Sequence, residues 1–273
     1  MDYKHHMNDW LIANSSGLRF GLWLGFFTVL ALLEQHAPRR REPMNRPRRW
    51  LANFGLMVVS SLMVALVPVT ALSASLWAQA QGFGLLNVLP LPAWLSIFTA
   101  WLLLDCAIYW QHRLMHVVPP LWRLHRVHHT DLRFDTSTAV RFHPAEIVLS
   151  VLYKCLVIIA LGAPPLAVLI FEILLSGVAL FNHANLRVPG DRWLRKLIVT
   201  PDQHRIHHSV HRVETDSNYG NVLSIWDHWF RSYTAQPREG QETMQIGLNE
   251  LRAEEQQSLG ALLLQPARKS NQL

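Results

Sequence analysis

The sequence predicts a mostly α-helical integral membrane protein: a helical bundle of about four spans or hairpins, with a helical cap on the cytoplasmic side that gathers clustered histidines. Three observations carry that reading. Half of the 273 residues are hydrophobic, only 16% are charged and eleven are tryptophan, and the mean hydropathy is positive, a composition that points to a bilayer. From Trp50 through Leu104 there are 55 consecutive residues without Asp, Glu, Lys or Arg, too many for one crossing of about 20 residues. Twelve of the fifteen histidines lie between His112 and His228, in regularly spaced groups.

The chain opens on a polar stretch, Met1 to His6, whose His5 and His6 are set apart from any site. The first apolar segment, about Trp10 to Leu33, is long and ends in charges without a small-residue cleavage pattern, so it predicts a span rather than a signal peptide. Arg19 interrupts it. Six arginines follow between Arg39 and Arg49. Their place between apolar segments favours a topogenic, lipid-facing role over nucleic-acid binding, despite the net charge of +6. Residues 1–90 are thus expected to form N-terminal spans and an arginine-rich cytoplasmic loop, 91–235 the histidine-bearing domain, and 236–273 a cytoplasmic tail with an amphipathic helix near Ile246 to Leu264.

The uncharged stretch predicts two spans turning at Ala78 to Pro92, where Gln, Gly, Asn and Pro accumulate. With the arginines held inside, the chain crosses out and back, and His112 and His116 emerge in the cytoplasm. A helix continuing past the bilayer puts Asp105, Tyr109, His112 and His116 on one face, through spacings of four, three and four. Asp105 either orients a ligand histidine or is an interfacial carboxylate. Ile147 to Asn182 predicts a second apolar hairpin around Gly162-Ala-Pro-Pro165, which delivers His183 to the same side. Glu172 within it is costly in lipid and calls for a partner. Cys106 and Cys155 lie in apolar stretches and imply packing rather than a disulfide.

The groups themselves are His112-x3-His116, His125-x2-His128-His129, His183 within Phe181-Asn-His-Ala-Asn185, and His204-x2-His207-His208. On a helix, residues three and four apart share a face, so each group aims imidazoles in one direction, a geometry that suits a metal. The last group carries a helix start, with Thr200 as N-cap, Pro201 in the first turn and Gln203 in capping-box position. Asp202 in that turn complements the helix dipole, with a supporting role behind a ligand also open. His143, in Arg141-Phe-His-Pro-Ala-Glu146, has no companion at helical spacing and stands between hydrogen bonding and ligation. Spacing alone does not separate iron from zinc, copper or manganese.

Over roughly residues 95 to 235, these strings together with Asn218-Tyr-Gly-Asn221 and Trp226-Asp227 resemble the fatty acid hydroxylase/sterol desaturase superfamily of membrane di-iron oxygenases. That resemblance implies two irons shared by His112, His116, His125, His128, His129, His183, His204, His207 and His208. Asp105, His143, Asn185 and Asp202 are the candidate supports behind the ligands, and the resemblance implies dioxygen as co-substrate. His211 continues the helical face, but the family motif does not need it. The family's closing motif usually has Gly-Thr where this chain has Arg231-Ser232, which puts a local turn in question.

The implied reaction is hydroxylation or desaturation of a C–H bond in a membrane lipid, fatty-acyl, sterol-like or isoprenoid substrate. No Gly-x-Gly-x-x-Gly fingerprint or haem domain is evident, so electrons are expected from a separate ferredoxin, cytochrome or reductase. The alternatives are a membrane zinc hydrolase, or a non-enzymatic metal-binding protein. A bacterial inner membrane is the expected location, in the absence of an organelle address.

Overall fold

The computed structural model describes residues 10, 12–41 and 46–268, so the polar opening around His5 and His6 lies outside it. Among the described residues the chain is helical, with isolated bridges in place of strands. Four helices are long and apolar enough to cross a membrane: α1 (Ser15–His36), α4 (Ala93–Val117), α6 (Pro144–Leu161) and α7 (Pro165–Asn182). Between α1 and α4 lie α2 (Arg46–Ala65) and the shorter α3 (Ala71–Ala80). The cap is built from α5 (Pro119–His129), α8 (Pro201–His207), several single turns and α9 (Leu259–Leu264).

The α6–α7 hairpin forms as the sequence predicts. Gly162 caps α6 in the left-handed conformation, at φ +61°, and Pro164 and Pro165 start the return helix. Backbone meets backbone at this tip: a Cβ on Gly84 would lie 2.2 Å from the Gly162 nitrogen. Glu172 of α7 is flanked by Lys154 of α6 at 3.0 Å and Arg19 of α1 at 2.7 Å, which explains how all three charges persist within apolar helices.

The stretch expected to cross twice behaves differently at its first arm. Helix α2 ends at Ala65, well before the predicted turn at Ala78 to Pro92, because Pro68 lacks an amide donor and cannot continue it. A reciprocal capping box between Thr70 and Ser73 then starts α3, which covers the hairpin tip. The second arm is α4, whose 25 residues rise about 37 Å, so the helix outlasts a hydrocarbon core of roughly 30 Å. Asp105, Tyr109, His112 and His116 all lie on its buried face, as the spacing predicts.

The tail docks on the cap without the expected helix over Ile246 to Leu264; only Leu259–Leu264 is α-helical, after a 3-10 turn at Glu254–Gln257. Its anchors are polar and specific, since Arg126 donates at 2.6 Å to the carbonyls of both Gln265 and Arg268. Met244 and Ile246 pack on Phe134, and the Gly247 amide donates to the His208 carbonyl at 3.0 Å. Those local demands on backbone direction override a helical hydrophobic period.

One network joins the first turn of α2 to the segment after α5. The Arg49 guanidinium donates to Asp131 at 2.7 Å and in a bidentate fork to Asp135 at 2.6 and 2.7 Å. Burial pushes both carboxyls up, but Arg49 overrides it and holds each below the usual carboxylate range. Such carboxylates contribute stability above their unfolded pKa, about 3.9, and lose it as pH falls below that value. Arg49→Met strands two buried carboxylates and is expected to cost about 3–5 kcal/mol. Exposed Arg48 pairs with exposed Glu254, so Arg48→Met should cost under about 1 kcal/mol. Thermal unfolding of the detergent-solubilised variants checks both, and equal melting temperatures would contradict the assignment.

Candidate metal centre

Four elements deliver nine histidines to one buried volume. Helix α4 brings His112 and His116 from the end of a span; α5 brings His125, His128 and His129. His183 is the C-cap of α7, and α8 brings His204 and His207 with His208 as its C-cap. Thr200 caps α8 by accepting from the Gln203 amide, as its sequence signature predicts.

The nine fall into two sets. One contains His112, His116, His125, His129 and His207; the other contains His128, His183, His204 and His208; within each, the ligand atoms lie within 4.8 Å of one another. Each triplet is divided between them. In α5 the i,i+4 pair His125 and His129 joins the first set and His128 the second, whereas in α8 His204 and His208 join the second and His207 the first. At 3.6 residues per turn, positions four apart diverge by about 40°, while positions i+3 and i+4 diverge by about 100°. That angle sends the odd histidine to the other set. Facing helices with reciprocal splits thus build two centres from one repeated motif.

Hydrogen bonds fix which nitrogen points inward. The Nδ1–H groups of His112 and His207 donate to the carbonyls of Tyr219 at 2.8 Å and Ser217 at 2.6 Å, which leaves both Nε2 atoms as bare lone pairs only 3.0 Å apart. The second set repeats this arrangement. His183 donates to Ala179 at 2.7 Å and His128 to Arg141 at 3.3 Å, with their Nε2 atoms 3.1 Å apart. Two lone pairs so placed repel unless a cation lies between them, and two ligands at about 2.1 Å, roughly 90° apart on one metal, have nitrogens about 3.0 Å apart. The Nε2 atoms of His116 and His208 are buried without a hydrogen-bond partner among the described residues. This donor set fits two metal ions.

Charge follows the same division. Glu146 accepts from His125 Nδ1 at 2.7 Å and Asp216 from His116 Nδ1 at 3.2 Å, so carboxylates back only the five-histidine set among these contacts. Around the rings, Phe142 stacks on His128 at 4.2 Å, Trp122 lies 5.0 Å from His116 and Phe134 5.2 Å from His208. Burial in this sheath lowers His183 to about 4 and His207 to about 3. His128, His129, His204 and His208 also fall well below the ordinary imidazole value, first through burial and then through neighbouring imidazoles. All six are neutral at pH 7, the state that binds metal.

The other expected residues lie outside these sets. Asp105 accepts from the Leu223 amide at 3.1 Å and the Trp226 indole at 2.8 Å, so it secures the loop that carries Tyr219 rather than a ligand ring. His143 is the N-cap of α6 and contacts the Leu263 carbonyl. Asn185 exchanges hydrogen bonds with the Arg40 backbone and donates its amide to Glu34, while Asp202 pairs with Arg205 and Arg39. His211 faces outward to Glu239. Of the carboxylates that do touch ligand rings, Glu146 was signalled only by Arg141-x-His-Pro-x-Glu146, and Asp216 carried no signal of such a role. The turn at Arg231 survives the missing glycine, since Arg231 itself adopts a left-handed φ of 59°.

Metal analysis of purified protein is expected to find two ions per chain in the wild type and in His211→Ala, and fewer in His207→Ala or His183→Ala. Glu146→Gln should weaken binding by roughly 10–100-fold through loss of the carboxylate behind His125. Full metal loading of the His183 and His207 variants would contradict the assignment.

Comparison with known proteins agrees with this geometry. The fatty acid hydroxylase family model matches residues 97–232, the interval that contains all nine histidines. Human alkylglycerol monooxygenase is 33% identical over 142 residues, 51% of this chain and 31% of that protein. The ornithine lipid hydroxylase OlsE of Rhizobium tropici is 31% identical over 134 residues, 49% of this chain and 40% of its own. A Delta(7)-sterol 5(6)-desaturase of Gibberella zeae is 29% identical over 147 residues, 52% of this chain and 43% of its own. The chain therefore spans about a third to two fifths of the length of these relatives, and no solved structure matches it. Through residues 97–232, with their paired sets of buried histidines, the chain belongs to the fatty acid hydroxylase/sterol desaturase superfamily.

Proposed function

We propose that this chain is a dioxygen-dependent di-iron enzyme that hydroxylates a C–H bond of a membrane lipid. The observation that carries the reading is the pair of inward-facing bare Nε2 atoms in each set, His112 with His207 and His128 with His183. Five nitrogen donors in one set exceed the four of a tetrahedral zinc site, which counts against a hydrolytic or structural zinc. Imidazole ligands suit iron, and the relatives named as monooxygenase, hydroxylase and desaturase favour redox chemistry on lipids. Desaturation of the same substrate class is the second reading, supported by the sterol desaturase relative.

When bound, the two irons would supply activation of dioxygen for attack on an unactivated C–H bond. The residues of this chain hold and shield that chemistry. Carbonyls of Tyr219, Ser217, Ala179 and Arg141 fix four ring orientations, and Glu146 and Asp216 fix two more. Phe134, Phe142 and Trp122 keep water from the imidazoles. The spans α1, α4, α6 and α7 place this volume beside the acyl chains, so a lipid can arrive laterally. Hydroxylation consumes one dioxygen, two electrons and two protons, and yields the alcohol and water. The electrons come from an external carrier: a ferredoxin, cytochrome or reductase.

We infer a cytoplasmic location for the histidine end from the charge around it. Arg39 and Arg49 bind cap residues beside the histidines, with Arg39 on Asp202 and Arg49 on Asp131. The arginine cluster therefore shares the histidine end of the bundle, which supports a cytoplasmic orientation under the positive-inside rule. A bacterial inner membrane is the host we infer.

Lipid mass spectrometry of cells expressing wild type or His207→Ala under oxygen-18 gas checks the reading. One lipid is expected to gain a single heavy oxygen with the wild type only. Loss of two hydrogens without oxygen gain would shift the assignment to desaturation. Neither change, with metal-loaded protein and an active reductant supply, would contradict it.

A further inference from the structure

Residues 187–197 and 224–231 form one structural piece on the flank of the cap. Ser224 Oγ donates to the Arg195 carbonyl at 2.7 Å, the Ser224 amide donates to that of Leu197 at 3.0 Å, and Ile198 and Leu223 form an antiparallel bridge. The outer face combines large apolar groups with cations. Trp193, Leu197 and Trp229 are 67%, 56% and 71% exposed, and Arg187, Arg192, Lys196 and Arg231 are exposed in the same two segments. Lys196 Nζ lies 4.3 Å over the Trp193 ring. Of the acids in these segments, Asp191 is bound to Arg195 and Asp227 is buried. The exposed charge in these segments is positive.

The piece also packs against α4, at a level that falls within the bilayer where α4 spans it. Phe230 packs 4.8 Å from Trp110 and 5.2 Å from Tyr109 of α4. Leu223 and Trp226 share an apolar cluster that includes Trp101, Leu102 and Cys106. These residues precede His112 on the spanning helix; Cys106 is about 9 Å nearer the middle of the span, at 1.5 Å per residue. Irregular backbone persists at such depth only where protein groups satisfy its donors. Asp105 does so for the Leu223 amide and the Trp226 indole, and Asp227 for the amides of Tyr219 and Gly220 at 2.8 and 2.9 Å.

We propose that residues 187–197 and 224–231 form a membrane lip. It inserts Trp193, Leu197 and Trp229 at the boundary between acyl chains and headgroups, and it holds anionic phospholipid headgroups with Arg187, Arg192, Lys196 and Arg231. Tryptophan favours that boundary because its ring is amphipathic, and cations beside it meet the negative surface of a leaflet rich in anionic lipid. Tyr219, whose carbonyl accepts from His112, lies just before the second of these segments and donates its amide to Asp227 within it. The lip does not depend on which reaction the metal centre performs.

The test uses the full chain in nanodiscs of phosphatidylglycerol and phosphatidylcholine. An NBD fluorophore is attached through Trp193→Cys or Trp229→Cys in a Cys106→Ser/Cys155→Ala background, with Glu255→Cys as an exposed control. Quenching by nitroxide-bearing lipids is expected to exceed quenching by aqueous iodide at positions 193 and 229, with the reverse at 255. Nitroxide-bearing phosphatidylglycerol should quench at least twofold more than the phosphatidylcholine analogue at 193, falling to parity in Arg192→Gln/Lys196→Gln. Dominant iodide quenching at 193 and 229, or shielding from both quenchers by a second copy or a soluble partner, would overturn insertion. Parity between the two lipids without the charge substitutions would overturn the headgroup preference. If the cysteine background fails to fold, nitroxide lipids should quench wild-type tryptophan emission more than that of Trp193→Phe/Trp229→Phe, and equal quenching would overturn the proposal.

Discussion

The structure depends on holding nine imidazoles together, with lone pairs converging, inside an apolar sheath. Left to themselves, such rings would protonate, rotate or hydrogen-bond to one another. The fold prevents this by giving the Nδ1 atoms of His112, His207, His183 and His128 backbone carbonyls as acceptors, and those of His125 and His116 carboxylates. Each acceptor selects a tautomer and aims Nε2 inward. Rings aimed this way repel one another until cations bind, so metal loading and folding of the cap are coupled.

Much of the remaining architecture serves those acceptors. Tyr219 and Ser217 belong to irregular backbone held by Asp227 and Asp105. Arg141 and Glu146 flank the start of α6, and the Arg141 guanidinium is buried against the Val127 carbonyl and Asn53. Glu34 at the end of α1 receives the amides of Thr136 and Asn185, which ties the first span to the loop after His183. The two sets are also electrostatically unequal, since Glu146 and Asp216 stand behind the five-histidine set. An ion there would have carboxylates hydrogen-bonded behind two of its ligand rings, a difference that would tune two otherwise similar centres.

The sequence made the helices and the nine histidines legible because periodicity is local. Spans announce themselves by length, α8 by Thr200 and Pro201, and the histidine face of α4 by spacings of three and four. What stayed hidden was non-local. The split of each triplet depends on how α5 and α8 face each other, and the role of Asp105 depends on a loop more than a hundred residues away. Backbone carbonyls leave no residue-type signal, so the acceptors at Tyr219 and Ser217 could not be read. The early end of α2 was written in Pro68, but an uncharged run of 55 residues masked it. The tail lost its expected helix to contacts with Phe134 and Arg126 that its own periodicity does not encode.

The paired histidine sets imply that imidazoles alone supply the protein ligands of two separate ions. X-ray absorption at the metal edge of the loaded protein tests it most directly. Nitrogen or oxygen scatterers at about 2.0–2.2 Å are expected, with the outer-sphere pattern of four to five imidazoles per ion and no sulfur. A sulfur distance near 2.3 Å, or an ion with one or two imidazoles and several carboxylate oxygens, would contradict it.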